Sequence, residues 1–110
     1  MITTHVLDSA RGGPAVGLAV SLDARRDDDW VRVAAGRTDE RGRLSSLTDN
    51  VPIAPGCYRL TFDTGAYQRG RGASSFYPEV QITFDVRESG EHVHVPLVVS
   101  PFGYSTYRGS

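Results

Sequence analysis

Apolar and polar residues alternate with a period of two through most of this chain. The segment 91–100 shows the pattern well. One face of it is purely aliphatic, formed by Val93, Val95, Leu97 and Val99, and the other is formed by His92, His94, Pro96 and Val98. Successive side chains of a strand point to opposite faces, so this segment predicts a half-buried strand with imidazoles on its outer face.

The same alternation predicts further short strands, separated by turns rich in Gly, Pro and Asp. They are Ile2–Asp8, 16–25, 30–35, 58–62, 80–87 and 104–108, with a short strand beginning at 42–44. Residues 51–57 hold two prolines and are predicted to be a connection, and 63–75 allow one or two helical turns between glycines. Seven or eight strands with one short helix favour an all-β fold, a two-sheet antiparallel sandwich or barrel.

Size and composition narrow the class of protein. With 110 residues and 39% hydrophobic content, the chain is expected to form a single domain, 1–110. The formal net charge is -1, and the twelve basic residues, all Arg, are spread without a cluster, so no nucleic-acid partner is expected. No apolar run approaches the roughly 20 residues of a membrane span, and one cysteine, Cys57, with no apparent signal peptide favours a cytoplasmic location.

The three histidines are the candidate groups for chemistry near neutral pH. His5 and His94 both fall on strand faces that point away from the predicted core. Each is individually compatible with an ordinary, partly exposed strand residue. Together they allow a shared polar surface, or a three-histidine metal site that includes His92, although no carboxylate or cysteine completes such a site.

Two further features are candidates for binding. Arg43 follows a glycine in a polar loop, where it is either solvated or a planar donor to carbonyl oxygens. The terminal residues Tyr107, Arg108, Gly109 and Ser110 form either a frayed end or part of a site. In the predicted last strand, Ser105 and Tyr107 share a face that points away from the core.

Several motifs spread over the whole chain resemble one family. They are Thr4-His5-Val6-Leu7-Asp8, Gly13-Pro14-Ala15, Thr38-Asp39 with Gly42-Arg43, Phe76-Tyr77-Pro78-Glu79-Val80, His92 to Pro101, and the closing Tyr104 to Ser110. The chain resembles the transthyretin-like 5-hydroxyisourate hydrolases of purine breakdown. The terminal Tyr-Arg-Gly-Ser is the most specific part, since it separates these hydrolases from the thyroid-hormone carriers of the same fold. The chain departs from the family pattern in two places. Val93 stands between the paired histidines where the family commonly has an aromatic residue, and Gln68-Arg69 stand where the family has more apolar residues.

The resemblance implies a transthyretin-like two-sheet β-sandwich assembled as a homotetramer, a dimer of dimers, with sites at the subunit interface. It implies hydrolysis of 5-hydroxyisourate without a metal or organic cofactor. Carried over by motif, the catalytic residues are His5, Arg43 and His94, and the substrate contacts are His5, Arg43, Tyr107 and Ser110. One histidine would activate water and Arg43 would stabilise the oxygen charge, with either His5 or His94 as the base.

Two other functions fit the same sequence pattern. A carrier would bind small aromatic ligands in the same channel without chemistry, and an adhesion or structural sandwich would use none of these residues. Three titratable or cationic groups suit a polar heterocycle better than an apolar hormone.

Overall fold

The computed structural model describes residues 1–110. It contains nine strands and one helix: β1 Ile2–Asp8, β2 Gly13–Pro14, β3 Ala19–Arg26, β4 Asp29–Arg37, β5 Arg43–Leu44, β6 Gly56–Phe62, α1 Thr64–Gly70, β7 Val80–Val86, β8 Val93–Ser100 and β9 Gly103–Thr106. No helix is long and apolar enough to cross a membrane.

The strands form two sheets. The first, called here the β1 sheet, has the order β2-β1-β8-β9, with β5 also paired to β1, and the second, the β3 sheet, has the order β4-β3-β6-β7. Between them lies one core of 19 buried hydrophobic residues, including Val6, Leu22, Leu60, Phe62 and Leu97. The predicted two-sheet sandwich with one short helix is therefore confirmed.

Several details of the prediction were wrong. β1 and β8 pair in parallel, whereas all other strand pairs are antiparallel. The second long strand begins at Ala19 rather than Val16, because Gly17 takes a positive φ of 74° and leaves Val16 45% exposed in a turn. Gly56 and Cys57, predicted to lie in a connection, instead belong to β6.

Buried hydroxyl groups hold the loops against the β1 sheet. Thr38 is 4% exposed, and its hydroxyl donates to the carbonyl of Ala15 at 2.6 Å and accepts from the N–H of Leu18 at 2.9 Å. Thr4 donates to the carbonyl of Val95 at 2.6 Å. Each hydroxyl therefore has the hydrogen-bond partner that a buried polar group requires. The two bonds of Thr38 hold the start of the loop that leads to β5.

Replacing Leu97 by Ala should lower the free energy of unfolding by about 2–5 kcal/mol, because the deleted side chain leaves a cavity between the sheets. Leu97 is fully buried, whereas Val31 is 45% exposed on β4. The matched variant Val31→Ala should cost less than about 1 kcal/mol. Denaturant unfolding of both variants checks this, and equal losses would contradict the assigned core.

Candidate active site on the β1 sheet

Strand β1 is paired along both of its edges, and this brings the predicted site residues together. On one edge His5 lies opposite Arg43 of β5, and on the other Thr3 pairs with His94 and His5 with Pro96 of β8. Directly paired residues share a sheet face. The core-facing residues of β1 and β8 alternate with these, so His5 and His94 lie on the face turned away from the core, as predicted, and Arg43 shares that face.

Arg43 is held by a tight turn. One carboxylate oxygen of Asp39 accepts from the backbone N–H groups of Arg41 and Arg43, both at 2.9 Å. These bonds, from Arg43 first and then Arg41, lower the pKa of Asp39. Gly42 has a φ of 76°, and a Cβ there would lie 2.4 Å from the carbonyl oxygen of Val6. Only glycine fits this close approach, which explains the Gly-Arg pair in the sequence.

His5 is oriented by the same turn. Its Nε2 lies 3.0 Å from the carbonyl oxygen of Arg41. A carbonyl oxygen only accepts, so Nε2 carries a proton and donates it. In a neutral ring the lone pair of His5 is then on Nδ1.

His94 is half-buried and in contact with Thr3. The hydroxyl oxygen of Thr3 lies 2.7 Å from Nδ1 of His94 and 3.1 Å from Nε2 of His92. Burial lowers the pKa of His94 below its ordinary value of 6.5, and the nearby Arg43 guanidinium, with the neighbouring rings of His5 and His92, opposes its protonation further. His94 is therefore neutral near pH 7.

The C-terminal residues are anchored rather than frayed. The N–H of Gly109 donates to the carbonyl oxygen of His94 at 2.9 Å. A Cβ at Gly109 would lie 2.5 Å from Cδ2 of His94 and 3.1 Å from Cγ of Pro96. The backbone of Gly109 therefore lies against the imidazole of His94, and Ser110 is the next residue in the chain.

A second contact fixes this terminal segment. Arg108 donates to the carboxylate of Glu91 at 2.7 Å, and the other oxygen of Glu91 accepts from the N–H groups of Arg87 and Glu88. These bonds, with Arg108 first, lower the pKa of Glu91. Sequence reasoning missed the roles of Thr3, Gly109 and Glu91, because each depends on a neighbour from a different strand or turn.

Tyr107 is not brought to the histidines within one chain. It is 60% exposed and borders a cavity of about 200 Å³ that is also lined by Val93, Val95, Ile82 and Phe84. Val93 and Val95 belong to the core face of β8. The predicted strand 104–108 was too long, because β9 ends at Thr106. Tyr107 therefore does not continue the outward face of Ser105, and it lines a cavity together with the core-facing Val93 and Val95.

The paired histidines do not form the three-histidine metal site considered from the sequence. No group of three or more His, Cys, Asp or Glu side chains is placed to hold a metal ion. Within the chain, the hydroxyl of Thr3 joins the rings of His92 and His94. In this cluster β1 lies between Arg43 and His94, so one face presents a cationic donor and a neutral imidazole on either side of His5. This combination is suited to polarising a carbonyl and activating water.

Known proteins resemble this chain over its full length. A 5-hydroxyisourate hydrolase of Salmonella typhimurium is 41% identical over 110 residues, which is 100% of this chain and 81% of that protein. One from Mus musculus is 42% identical, over 99% of this chain and 94% of that protein.

Solved structures include both functional branches of the fold. The 5-hydroxyisourate hydrolase of Klebsiella pneumoniae is 38% identical with a TM-score of 0.85, covering 99% of this chain and 98% of that one. Sea bream transthyretin, crystallised with thyroxine, is 32% identical with a TM-score of 0.91, covering 98% and 93%. The profile of the HIUase/Transthyretin family matches residues 2–109. The chain therefore belongs to the HIUase/Transthyretin family.

Proposed function

We propose that this protein hydrolyses 5-hydroxyisourate to 2-oxo-4-hydroxy-4-carboxy-5-ureidoimidazoline in urate degradation. Water adds to a ring carbonyl, the ring C–N amide bond breaks, and the products of that cleavage are a carboxylate and a ureido group. The observation that carries the proposal is the register of β1, which aligns His5 with Arg43 and Thr3 with His94 on one face. The identity of the substrate is inferred from the similar proteins that are 5-hydroxyisourate hydrolases.

In the proposed mechanism His94 takes the proton from the attacking water. The lowered pKa of His94 keeps the ring neutral and able to accept, and a general base is worth roughly 10²-fold or more. Arg43 is exposed and forms no ion pair within the chain, so its guanidinium is free to stabilise the charge on the tetrahedral oxygen. His5, whose Nε2 proton is held by the carbonyl of Arg41, lies beside Arg43 to contact the substrate.

We propose that the site is completed by assembly into a homotetramer, a dimer of dimers. In one chain the face that carries His5, Arg43 and His94 is an open surface of the β1 sheet, and a facing copy would exclude water and strengthen the electrostatic contacts. Ser110 follows Gly109, whose backbone contacts His94, and positions the flat substrate in this proposal. In this proposal Tyr107 contacts the substrate in the assembled channel.

A carrier of small aromatic ligands is the second candidate. The backbone agreement with sea bream transthyretin favours it, since that TM-score of 0.91 exceeds the 0.85 of the Klebsiella hydrolase. Backbone similarity does not decide function, which depends on the site. The greater sequence identity to the hydrolases, and the neutral imidazole beside a free guanidinium, favour catalysis.

The coupled urate assay tests the proposal. Urate oxidase generates 5-hydroxyisourate, whose decay is followed by ultraviolet absorbance. The protein should accelerate this decay, and His94→Ala and Arg43→Ala should each lower kcat/KM by about 100-fold or more. Arg26→Ala, which removes an exposed arginine at the end of β3, is the matched control and should retain full activity. An unchanged decay rate with bound ligand would identify a carrier instead.

The pH dependence should report His94. Its pKa in the folded protein lies below 6.5, so the base stays unprotonated at neutral pH and activity falls only as the pH drops through that lowered value. The acidic limb of kcat/KM should therefore have its midpoint below pH 6.5. Stopped-flow rates across the acidic range check this, and a midpoint above the ordinary histidine value would contradict the assignment.

Gly109→Ala should lower activity at least tenfold, because the added methyl would lie 2.5 Å from the His94 ring and push the terminal segment away. The control is Gly70→Ala at the end of α1, where a Cβ meets nothing within 4 Å. Equal activities of the two variants in the urate assay would show that contact between the terminus and His94 has no part in catalysis.

A further inference from the structure

The hydroxyl of Thr3 lies between two imidazole rings. It is 2.7 Å from Nδ1 of His94 and 3.1 Å from Nε2 of His92. Thr3 is only 6% exposed, whereas His92 is an exposed residue. The contact between the half-buried His94 and the exposed His92 therefore runs through one sheltered hydroxyl group.

Counting protons leaves three arrangements for neutral rings. A threonine hydroxyl has one hydrogen and two acceptor lone pairs. In the first arrangement, Nδ1–H of His94 donates to the hydroxyl, which donates to Nε2 of His92. In the second, every bond runs the other way, and His94 carries its proton on Nε2 instead. In the third, Nδ1–H of His94 and Nε2–H of His92 both donate to the hydroxyl oxygen, and the proton of His94 is again on Nδ1.

The proposed function requires a proton on Nδ1, as in the first and third arrangements. Nε2 of His94 has no hydrogen-bond partner within the chain, so it is the nitrogen available to water. It can accept a proton from water only when its lone pair is free, which places the proton of the neutral ring on Nδ1.

We propose that Thr3 is a positioning residue that keeps the proton of neutral His94 on Nδ1 and the lone pair on Nε2. This rests on the proposed function, in which His94 accepts a proton from water. When Nε2 takes that proton, the ring becomes an imidazolium whose Nδ1–H already has an acceptor. No proton has to leave Nδ1, and the hydroxyl of Thr3 stabilises the new charge. Fixing a histidine tautomer by a bond to its other nitrogen is a general device.

The spectroscopic test uses the full-length protein without substrate. Ring ¹⁵N shifts of His94 are measured at a pH where histidines are neutral, in wild type, Thr3→Ser and Thr3→Val. Wild type and Thr3→Ser should show the Nδ1–H form, and Thr3→Val should gain the Nε2–H form. A wild-type ring with its proton on Nε2, or a Thr3→Val ring unchanged from wild type, would overturn the proposal.

The kinetic test separates positioning from substrate binding. Thr3→Val should lower kcat about tenfold, the size expected for one lost hydrogen bond to a charged group. KM should stay unchanged, because Thr3 contacts Nδ1 of His94 and not the Nε2 proposed to face the reacting water. Thr3→Ser should restore most of the rate. Thr83→Val, which removes an exposed hydroxyl on β7, is the control and should match wild type. A loss confined to KM, or a Thr3→Ser variant as slow as Thr3→Val, would overturn the proposal.

The outcomes of these two tests distinguish a failure of the role of Thr3 from a failure of the proposed function. If the protein does not accelerate the decay of 5-hydroxyisourate, the proposed function fails, while the ¹⁵N shifts still decide whether Thr3 fixes the tautomer. If the protein is active but Thr3→Val leaves both shifts and kcat unchanged, only the role of Thr3 fails.

Discussion

Everything in the candidate site depends on the pairing of β1 along both edges. Its seven residues pair with β8 on one edge and with β2 and β5 on the other. Because side chains alternate faces, a slip of one residue in the β1–β8 register would move the paired residues to the opposite face. The burial of Val6 and Leu97 opposes such a slip, since it would expose the core and bury the imidazoles. The same hydrophobic contacts that stabilise the sandwich thus fix the position of the reactive groups.

The sequence predicted the faces of strands better than their partners. Alternation in β1 and β8 placed His5 and His94 opposite the core, and a strand signal at Arg43 was present in the Gly-Arg-Leu segment. A period of two carries no information about which strand lies alongside, so the parallel β1–β8 pair was missed. Val16 fitted the alternation but lies in a turn, because the φ of 74° at Gly17 ends the pattern there. Glycines therefore needed to be interpreted by backbone geometry rather than by spacing.

The contacts that tune the site were the least predictable. Thr3 lies next to His94 through a parallel pair that spans 91 residues of sequence, and Gly109 is required because His94 and Pro96 lie against it. Tyr107 was predicted to continue a strand 104–108, but β9 ends at Thr106 and Tyr107 borders a cavity with the core-facing Val93 and Val95. Such contacts arise from tertiary packing, which local periodicity does not describe. Family resemblance supplied the site residues that position alone left open.

The fold accommodates two functions on nearly the same backbone, so the decision between them lies in the side chains of one face. A hydrolase needs a neutral base, a stabilising cation and shelter from water at that face, and a carrier needs apolar area. Here the turn of Asp39 to Gly42 presents Arg43 unpaired beside His5, and burial with neighbouring positive charge keeps His94 neutral. These features depend on electrostatics more than on the shape of the sheet.

A crystal structure with bound urate tests the central claim most directly, because urate is a stable, planar relative of the proposed substrate. Our account predicts urate on the outer face of the β1 sheet, with a carbonyl oxygen about 3 Å from the Arg43 guanidinium and a ring edge next to Nε2 of His94. Urate bound elsewhere, for example in the cavity bordered by Tyr107, with His5, Arg43 and His94 free of contact, would contradict it.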